Sequence, residues 1–310
     1  METHISSHVP VRPTVHTLLH HAIDYAGLFP PAKLDMQDAA GNYAAYLRGE
    51  NAWALGRMII PATRIEEFTA CAAEFFPRDA DARPWRISVL LGLDYGGKLD
   101  AIAAFNERHA RGSAGGHAII DTVETKAASP QDVISAGRQI PEAFETYIEI
   151  AIDNDPAELL DAIRREGRKA KVRTGGIVAA AFSPPDQLAR FLDTCVSLGL
   201  PFKATAGLHH IVRGEYPLTY APDSVRGPMF GYLNVLLATA FLCSGLSAED
   251  AAAILTEESL AAFHIDDGEV KWGEHRCTTA TLREARAQMI AFGSCSFTEP
   301  MSELDKLTLH

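Results

Sequence analysis

The fold follows from one stretch of the chain, which reads KAKVRTGG (169–176), then SPPDQLARFLDTCVSLGL (183–200), then PFKATAGLHHIVR (201–213). The first and last segments are short strand-like runs that each carry a lysine and lead into glycine. The middle segment has the apolar spacing of an amphipathic helix. Together the three segments predict a strand–helix–strand unit.

The two lysines of this unit are expected to point away from the helices. Side chains on a strand alternate between two faces, so Lys171 and Arg173 share one face, and Lys203 and Thr205 share one face of the other strand. The apolar residues take the opposite faces, which suits packing against helices. A buried lysine is costly unless it is paired, neutralised or used in chemistry. Two lysines on adjacent strands therefore favour a functional site.

The composition excludes several classes of protein. A net charge of -12 argues against a nucleic-acid partner, because such proteins carry a basic surface. The five cysteines lack a CxxC pair and the N-terminus lacks an apolar leader, which predicts the reducing cytoplasm. The apolar run Met229–Cys243 is too short to span a bilayer, so it predicts a buried helix and no membrane partner. Whether the chain forms a homo-oligomer stays open.

Strands and helices alternate along the whole chain, which predicts a parallel sheet. Seven strands are expected within residues 23–29, 57–60, 86–91, 118–123, 147–152, 169–176 and 201–207. We expect the eighth strand at Phe263–Trp272, either as a single strand or as a small hairpin that turns at Asp267-Gly268, and a last helix at Thr281–Phe292. This count predicts a (β/α)8 TIM barrel. The alternative, an open doubly wound sheet, is less favoured because no GxGxxG fingerprint follows a first strand.

The barrel is predicted as a single α/β domain that spans residues 1–310. We expect a flexible arm at 1–13, a helical insertion after strand 7 at 214–262, and a C-terminal extension or tail at 293–310. The tail carries the unusual sequence FGSCSFTEP, which is predicted either to fold back over the site or to contact another subunit. Cys295 in this tail would need a neighbouring base to act as a nucleophile, and the sequence identifies none.

The inward faces of the predicted strands collect an unusual number of charges. A barrel interior without a function is filled by Val, Ile and Leu. The inward positions here are instead Asp24, Arg57, Asp121, Glu149, Lys171, Arg173 and Lys203. This set predicts an active site near the carboxyl ends of the strands. The alternative is a buried ion network without catalysis, in which Lys171 and Arg173 pair with Asp121 and Glu149.

The pair of segments KVRTGG and FKATAGL resembles the class I aldolases of the deoxyribose-phosphate aldolase type. That family carries a Schiff-base lysine on strand six in a Lys-x-Ser-Thr-Gly motif and a second lysine on strand seven. The first strand, IDYAGLFPP (23–31), is similar to the family's Ile-Asp-His-Thr-Leu-Leu, and Asp121 matches its strand-four aspartate. Arg173 replaces the family's serine, and AGLHH (206–210) replaces its glycine-rich phosphate-binding turn.

The resemblance implies a lyase that forms a lysine Schiff base with a small carbonyl substrate and uses neither a cofactor nor a metal. It favours Lys171 as the covalent amine, although Lys203 remains open with the roles exchanged. Arg173 or Lys203 is expected to lower the pKa of Lys171. The implied catalytic residues are Lys171, Lys203, Asp121, Asp24 and Glu149. The expected substrate-binding residues are Arg173, Thr174, Gly175, Thr205, Gly207, His209, His210 and Arg213.

Two other hypotheses belong to different classes. Histidines at the barrel mouth, with Glu274 or Asp24, would suit zinc in a metal-dependent hydrolase or lyase, although neither HxH nor HExxH occurs. His20 and His21 enter strand one from the opposite end of the barrel. The third hypothesis is a barrel that binds a small anion without catalysis, for which His209, His210 and Arg213 are candidate ligands.

Overall fold

A computed structural model describes residues 11–79, 81–111 and 113–304 of the chain. The strands, in chain order, are β1 (Ile23–Tyr25), β2 (Leu55–Pro61), β3 (Trp85–Leu90), β4 (Ala118–Lys126), β5 (Glu145–Ile150), β6 (Lys169–Arg173), β7 (Phe202–Thr205), β8 (Gly214–Pro217), β9 (Arg226–Met229), β10 (Phe263–Ile265), β11 (Glu269–Trp272), β12 (His275–Thr278) and β13 (Met289–Ser294). The helices are α1 (Pro13–Leu19), α2 (Met36–Arg48), α3 (Ile65–Ala72), α4 (Gly96–Arg108), α5 (Pro130–Gln139), α6 (Ala157–Arg165), α7 (Pro185–Leu198), α8 (Tyr232–Cys243), α9 (Ala248–Thr256), α10 (Thr279–Gln288) and α11 (Thr298–Ser302).

Eight of the strands close into a parallel barrel in the order β1-β13-β7-β6-β5-β4-β3-β2. Each neighbouring pair is parallel, and helices alternate with strands around the outside. The apolar residues of the strands and the inner faces of the helices form one continuous core. The prediction of a (β/α)8 TIM barrel is therefore confirmed.

The predicted eighth strand is wrong. Residues Phe263–Trp272 form β10 and β11 of a small antiparallel sheet with β12, which lies outside the barrel. The eighth barrel strand is β13, and α10 ends at Gln288, whereas we expected a helix as far as Phe292. The run MIAFGS reads equally well as the end of a helix. Only its pairing with β1 and β7, which closes the barrel, makes it a strand.

The insertion after β7 is only partly helical. It opens with an antiparallel hairpin, β8 with β9, and continues into α8 and α9. Helix α8 is buried along almost its entire length, as expected for the apolar run Met229–Cys243. Within the described residues, no helix is long and apolar enough to cross a membrane. The predicted arm lies mostly outside the described residues, but Pro13 already begins α1, and Arg12 donates a hydrogen bond to the Ile265 carbonyl at 2.7 Å.

Helix α7 sets the spacing between the two lysine-bearing strands. Pro185 begins the helix, and Gly199 ends it in the left-handed conformation with φ of 60°, which glycine adopts without steric cost. The chain then returns directly into β7, beside β6. In the resulting register Lys171 lies opposite Lys203, and Arg173 lies opposite Thr205. The strand–helix–strand unit thus brings both lysines to the same level of the barrel.

Candidate active site

The two lysines occupy the interior of the barrel at neighbouring positions of β6 and β7. Lys203 is 1% exposed and Lys171 is 7% exposed. The Nζ atom of Lys203 donates hydrogen bonds to Asp24 Oδ2 at 2.5 Å and to Glu124 Oε1 at 2.8 Å. The Nζ atom of Lys171 forms ion pairs at 2.8 Å with Oε2 of Glu124 and at 2.8 Å with Oε2 of Glu149. Both ammonium groups are therefore compensated by carboxylates.

Glu124 on β4 links the two lysines, one to each carboxylate oxygen. Burial alone would raise its pKa, but the charges of Lys171 and Lys203 more than offset burial and hold the pKa far below its usual range. Ser88 also donates to Oε1 at 2.7 Å. Although Lys171 Nζ lies 2.8 Å from Oε2, none of the described residues gives this atom a well-directed hydrogen bond. The two ammonium groups therefore keep Glu124 ionised, and its Oε2 atom faces Lys171.

Sequence reasoning missed Glu124 because β4 carries one extra residue. Ile87 pairs with Ile120, whereas Ser88 pairs with Thr122, so Asp121 is the extra residue opposite β3. Strict alternation from Asp121 places Glu124 on the outer face, but the irregularity shifts the phase and turns Glu124 inward. Polar residues recur at every second position at Thr122, Glu124 and Lys126, and this period of two was the available signal.

The predicted lowering of the Lys171 pKa is wrong. Burial alone would lower the pKa of Lys171, but the charges of Glu124 and Glu149 more than offset it and raise the pKa above its ordinary value. Lys203 shows the same balance, with Asp24 and Glu124 as the groups that raise its pKa. The prediction assumed that neighbouring cations would set the pKa of Lys171. The closest charges in the folded barrel are carboxylates.

Asp121 lies closer to the amino-terminal end of the barrel than Glu124 does and contacts arginines. Its carboxylate accepts from Arg57 Nε at 2.8 Å and pairs with Arg86 Nη2 at 2.6 Å. Arg57 also pairs with Glu145 at 2.5 Å. The strand-four carboxylate that contacts both lysines is therefore Glu124. Asp121 instead belongs to a separate ion-pair layer.

A cavity of about 120 Å³ opens where the barrel strands reach their carboxyl ends. Lys171 lines this cavity, whereas Lys203 lies behind it. The inward positions of β13 are the small residues Ala291 and Gly293, which leave room beside Lys203 and Thr205. The lining residues are Ala26, Phe29, Pro30, Ile59, Leu90, Glu124, Lys171, Arg173, Thr205, Ala206, His209, Gly293 and Cys295.

Of the predicted substrate-binding residues, Arg173, Thr205 and His209 line the cavity. The other five have contacts elsewhere. Thr174 donates from Oγ1 to the Ala206 carbonyl at 2.6 Å. Gly175 and Gly207 are covered by the ring of Phe182, which would lie 2.3 Å and 2.7 Å from a Cβ atom at these positions. His210 stacks on Tyr216 and pairs with Glu303, and Arg213 lies over the ring of Phe230.

The segment after β13 folds back over the mouth of the barrel. Glu299 accepts from His209 Nδ1 at 3.0 Å, and Glu303 contacts His210 Nδ1 at 3.2 Å. Tyr232 donates to the Pro300 carbonyl at 3.1 Å. Cys295 lies 3.9 Å from His209 Nε2, so the tail supplies the thiol and the loop after β7 supplies the base that the sequence did not identify.

The histidines within the described residues do not gather into a candidate metal centre. Among the residues that the structure describes, no group of three or more His, Cys, Asp and Glu side chains is arranged to hold a metal ion. His21 lies before β1, where its ring contacts the Leu55 carbonyl at 2.8 Å. No protein-family model and no curated protein matches the chain. Function is therefore inferred from the geometry of the site itself.

Proposed function

We propose that this protein is a lyase of the class I aldolase type, in which Lys171 forms a Schiff base with a small carbonyl substrate. The observation that carries the proposal is the difference between the two lysines. Lys171 lines the cavity at the mouth of the barrel, whereas Lys203 is enclosed behind it by Asp24 and Glu124. Lys171 is therefore assigned as the covalent amine and Lys203 as the fixed cation that orients Glu124.

The carboxylates around Lys171 supply the proton transfers. A Schiff base requires the neutral amine, so the Lys171 ammonium must first release a proton. Oε2 of Glu124 and Oε2 of Glu149 are each 2.8 Å from Nζ and can accept it. The neutral amine then attacks the carbonyl carbon, and water leaves to give an iminium. The iminium accepts the electron pair released when a carbon–carbon bond breaks or when a neighbouring proton is removed.

The cavity limits the size and charge of the substrate. Its volume of about 120 Å³ is small for a ligand pocket, so the part of the substrate that reaches Lys171 is small. Arg173 and His209 line the wall. A polar or anionic group on the substrate would be oriented by these two side chains.

The five cysteines all lie within the described ranges and are free thiols, which supports the expectation of the reducing cytoplasm.

A second candidate function is the binding of a small anion without catalysis. It is favoured by Arg173, because none of the carboxylates in the described part of the chain pairs with its guanidinium. An arginine at the wall of a cavity is a suitable partner for a carboxylate or phosphate. This function predicts saturable anion binding and an unreactive Lys171.

Borohydride trapping distinguishes the two functions. The protein is incubated with small aldehydes and ketones, reduced, and analysed by intact-protein mass spectrometry. We expect a reduced adduct in the native chain and in the surface control Lys271→Ala, and none in Lys171→Ala. An adduct that persists in Lys171→Ala and disappears in Lys203→Ala would assign the covalent role to Lys203. Anion binding with no adduct would favour the second function.

The trapping rate should also increase with pH. The pKa of Lys171 is raised, so the amine is almost entirely protonated at neutral pH. Below that pKa, the fraction of neutral amine grows about tenfold per pH unit. We therefore expect trapping to accelerate between pH 7 and pH 9. A rate independent of pH in this range would contradict attack by Lys171.

A further inference from the structure

A cysteine, a histidine and a glutamate lie in line at the mouth of the barrel. His209 Nδ1 is 3.0 Å from Glu299 Oε2 and 3.2 Å from Ser294 Oγ, and Nε2 is 3.9 Å from Cys295 Sγ. Cys295 is 5% exposed and His209 is 6% exposed, and both line the cavity that Lys171 also lines. Glu299 therefore orients the ring so that its second nitrogen faces the thiol.

The electrostatics of this group favour a charged histidine. Burial alone would lower the pKa of His209, but Cys295 and Glu299 more than offset it and raise the pKa to about 9. The same pairing lowers the pKa of Glu299, against the opposing effect of burial. His209 is thus an imidazolium at neutral pH. A neighbouring imidazolium stabilises a thiolate, which is the nucleophilic form of cysteine.

The other groups around Cys295 are few. The hydroxyl of Tyr220 lies 3.6 Å from Sγ. Tyr25 is also near, and after burial Cys295 is one of the groups that raise the pKa of its phenol. Lys171 and Arg173 line other parts of the cavity wall and add positive charge, and Glu124 adds negative charge. His209 is thus the cationic group that contacts the sulfur, and the Tyr220 hydroxyl is its neutral neighbour.

We propose that Cys295, His209 and Glu299 form a nucleophilic thiol site that takes small electrophilic carbon compounds, above all aldehydes. The thiolate adds to the carbonyl carbon and an S–C bond forms. The electron pair of the C=O bond moves to the oxygen, which takes the Nε2 proton of His209. The product is a hemithioacetal, and the addition needs neither a leaving group nor a redox partner. The site does not depend on Schiff-base formation at Lys171.

The remaining cysteines provide an internal comparison. Burial raises the pKa of Cys195, Cys243 and Cys277, and none of them faces a histidine among the described residues. Cys71 is the matched control, because it is more exposed than Cys295 and has no histidine within hydrogen-bond distance in the described part of the chain. Exposure alone would make Cys71 the faster thiol. The proposed site predicts the reverse order.

The test is the rate of alkylation by iodoacetamide, followed by peptide mass spectrometry on the full chain. At pH 6.5 we expect Cys295 to react about tenfold faster than Cys71, since the neighbouring imidazolium of His209 stabilises the reactive thiolate. His209→Gln should slow Cys295 about tenfold at this pH and leave Cys71 unchanged. At pH 9.5 the variant should approach the native rate, because an unassisted thiol is then ionised. Slow alkylation of the buried Cys195 in the variant would show that it is folded.

Two results would overturn the proposal. The first is a Cys295 that reacts no faster than Cys71 at pH 6.5, and the second is an alkylation rate of Cys295 that His209→Gln leaves unchanged.

The aldehyde ligand is tested with glycolaldehyde in Lys171→Ala, which removes Schiff-base formation at that residue. We expect glycolaldehyde to slow alkylation of Cys295 in this variant, and no slowing would contradict the aldehyde assignment. Because Lys171 is absent, this outcome is separate from the fate of the proposed lyase function.

Discussion

Among single residues, Glu124 is the one that contacts both lysines of the barrel interior. One carboxylate oxygen accepts from Lys203 and Ser88, and the other forms an ion pair with Lys171. The side chain is 1% exposed, so water cannot replace a lost partner. Removing one member of a buried ion pair leaves the other charges uncompensated, which costs more than the pair itself contributes.

Glu124→Gln should therefore destabilise the protein strongly. The amide keeps the size of the side chain but removes the charge that compensates Lys171 and Lys203. We expect the free energy of unfolding, measured in urea, to fall by about 3–5 kcal/mol. The matched control is Glu66→Gln, whose carboxylate pairs with Arg108 on the surface and is 74% exposed. That change should cost less than about 1 kcal/mol. Equal effects of the two substitutions would refute the buried network.

Among the elements, the ends of β6 and β7 are shaped by a single aromatic ring. Gly175 and Gly207 follow the two strands, and the ring of Phe182 packs against both. Gly207 also has a φ of +73°, a conformation that residues with a Cβ rarely adopt. The resemblance had pointed to these glycines as part of a substrate-binding turn. In the fold they allow Phe182 to cover the strand ends beside the cavity.

Gly207→Ala tests the packing of this turn. A Cβ atom there would lie 2.7 Å from the ring of Phe182, so the substitution adds a clash to the left-handed backbone penalty. We expect the free energy of unfolding to fall by about 2–4 kcal/mol. Gly167→Ala has a similar φ of +65° with no atom within 4 Å of the new Cβ, and should cost about 1–2 kcal/mol. If both variants lose the same stability in parallel urea titrations, Phe182 does not constrain the turn.

At the scale of the whole molecule, ion pairs replace the apolar layers that usually fill such a barrel. Near its amino-terminal end, Arg57 pairs with Asp121 and Glu145. Closer to the mouth, Lys171 and Lys203 pair with their own set of carboxylates. Apolar residues of similar volume would stabilise the interior as well or better. Stability alone therefore does not explain these charges, and the layer that contacts the cavity is the one to which we assign the proposed chemistry.

The ionic interior should make the fold sensitive to acid. Burial opposes the charged form of the interior glutamates, but their cationic partners lower the pKa of Glu124, Glu145 and Glu149, that of Glu145 to about 2. A lowered pKa contributes stability that is present above the ordinary value of 4.5 and is lost as pH falls toward the folded value. Urea titrations should therefore show constant stability at pH 6–7 and a steep loss below pH 4.5. Glu145→Gln should reduce the loss of stability per pH unit below pH 4.5. An equal loss per pH unit in the variant would contradict this account.

The sequence by itself determined the barrel and the inward position of both lysines. Alternation with a period of two on strands and 3.6 on helices is local, so it can be read wherever an element is regular. Seven of the eight barrel strands and the strand–helix–strand unit follow from it. The same local logic placed Asp24, Glu149, Arg173 and Thr205 on inward faces, and His209 was named as a histidine of the barrel mouth. The fold brings all five to the interior or to the cavity.

The tertiary structure alone decided which charges meet. The extra residue in β4 shifted the strand alternation and turned Glu124 inward. Glu124 and Glu149 then raised the pKa of Lys171, which the sequence had predicted to fall. Closure of the barrel selected β13 as the eighth strand, which carried the tail over the mouth and brought Cys295 to His209. Each of these outcomes depends on pairing between segments far apart in the chain. Such pairing cannot be predicted from local periodicity.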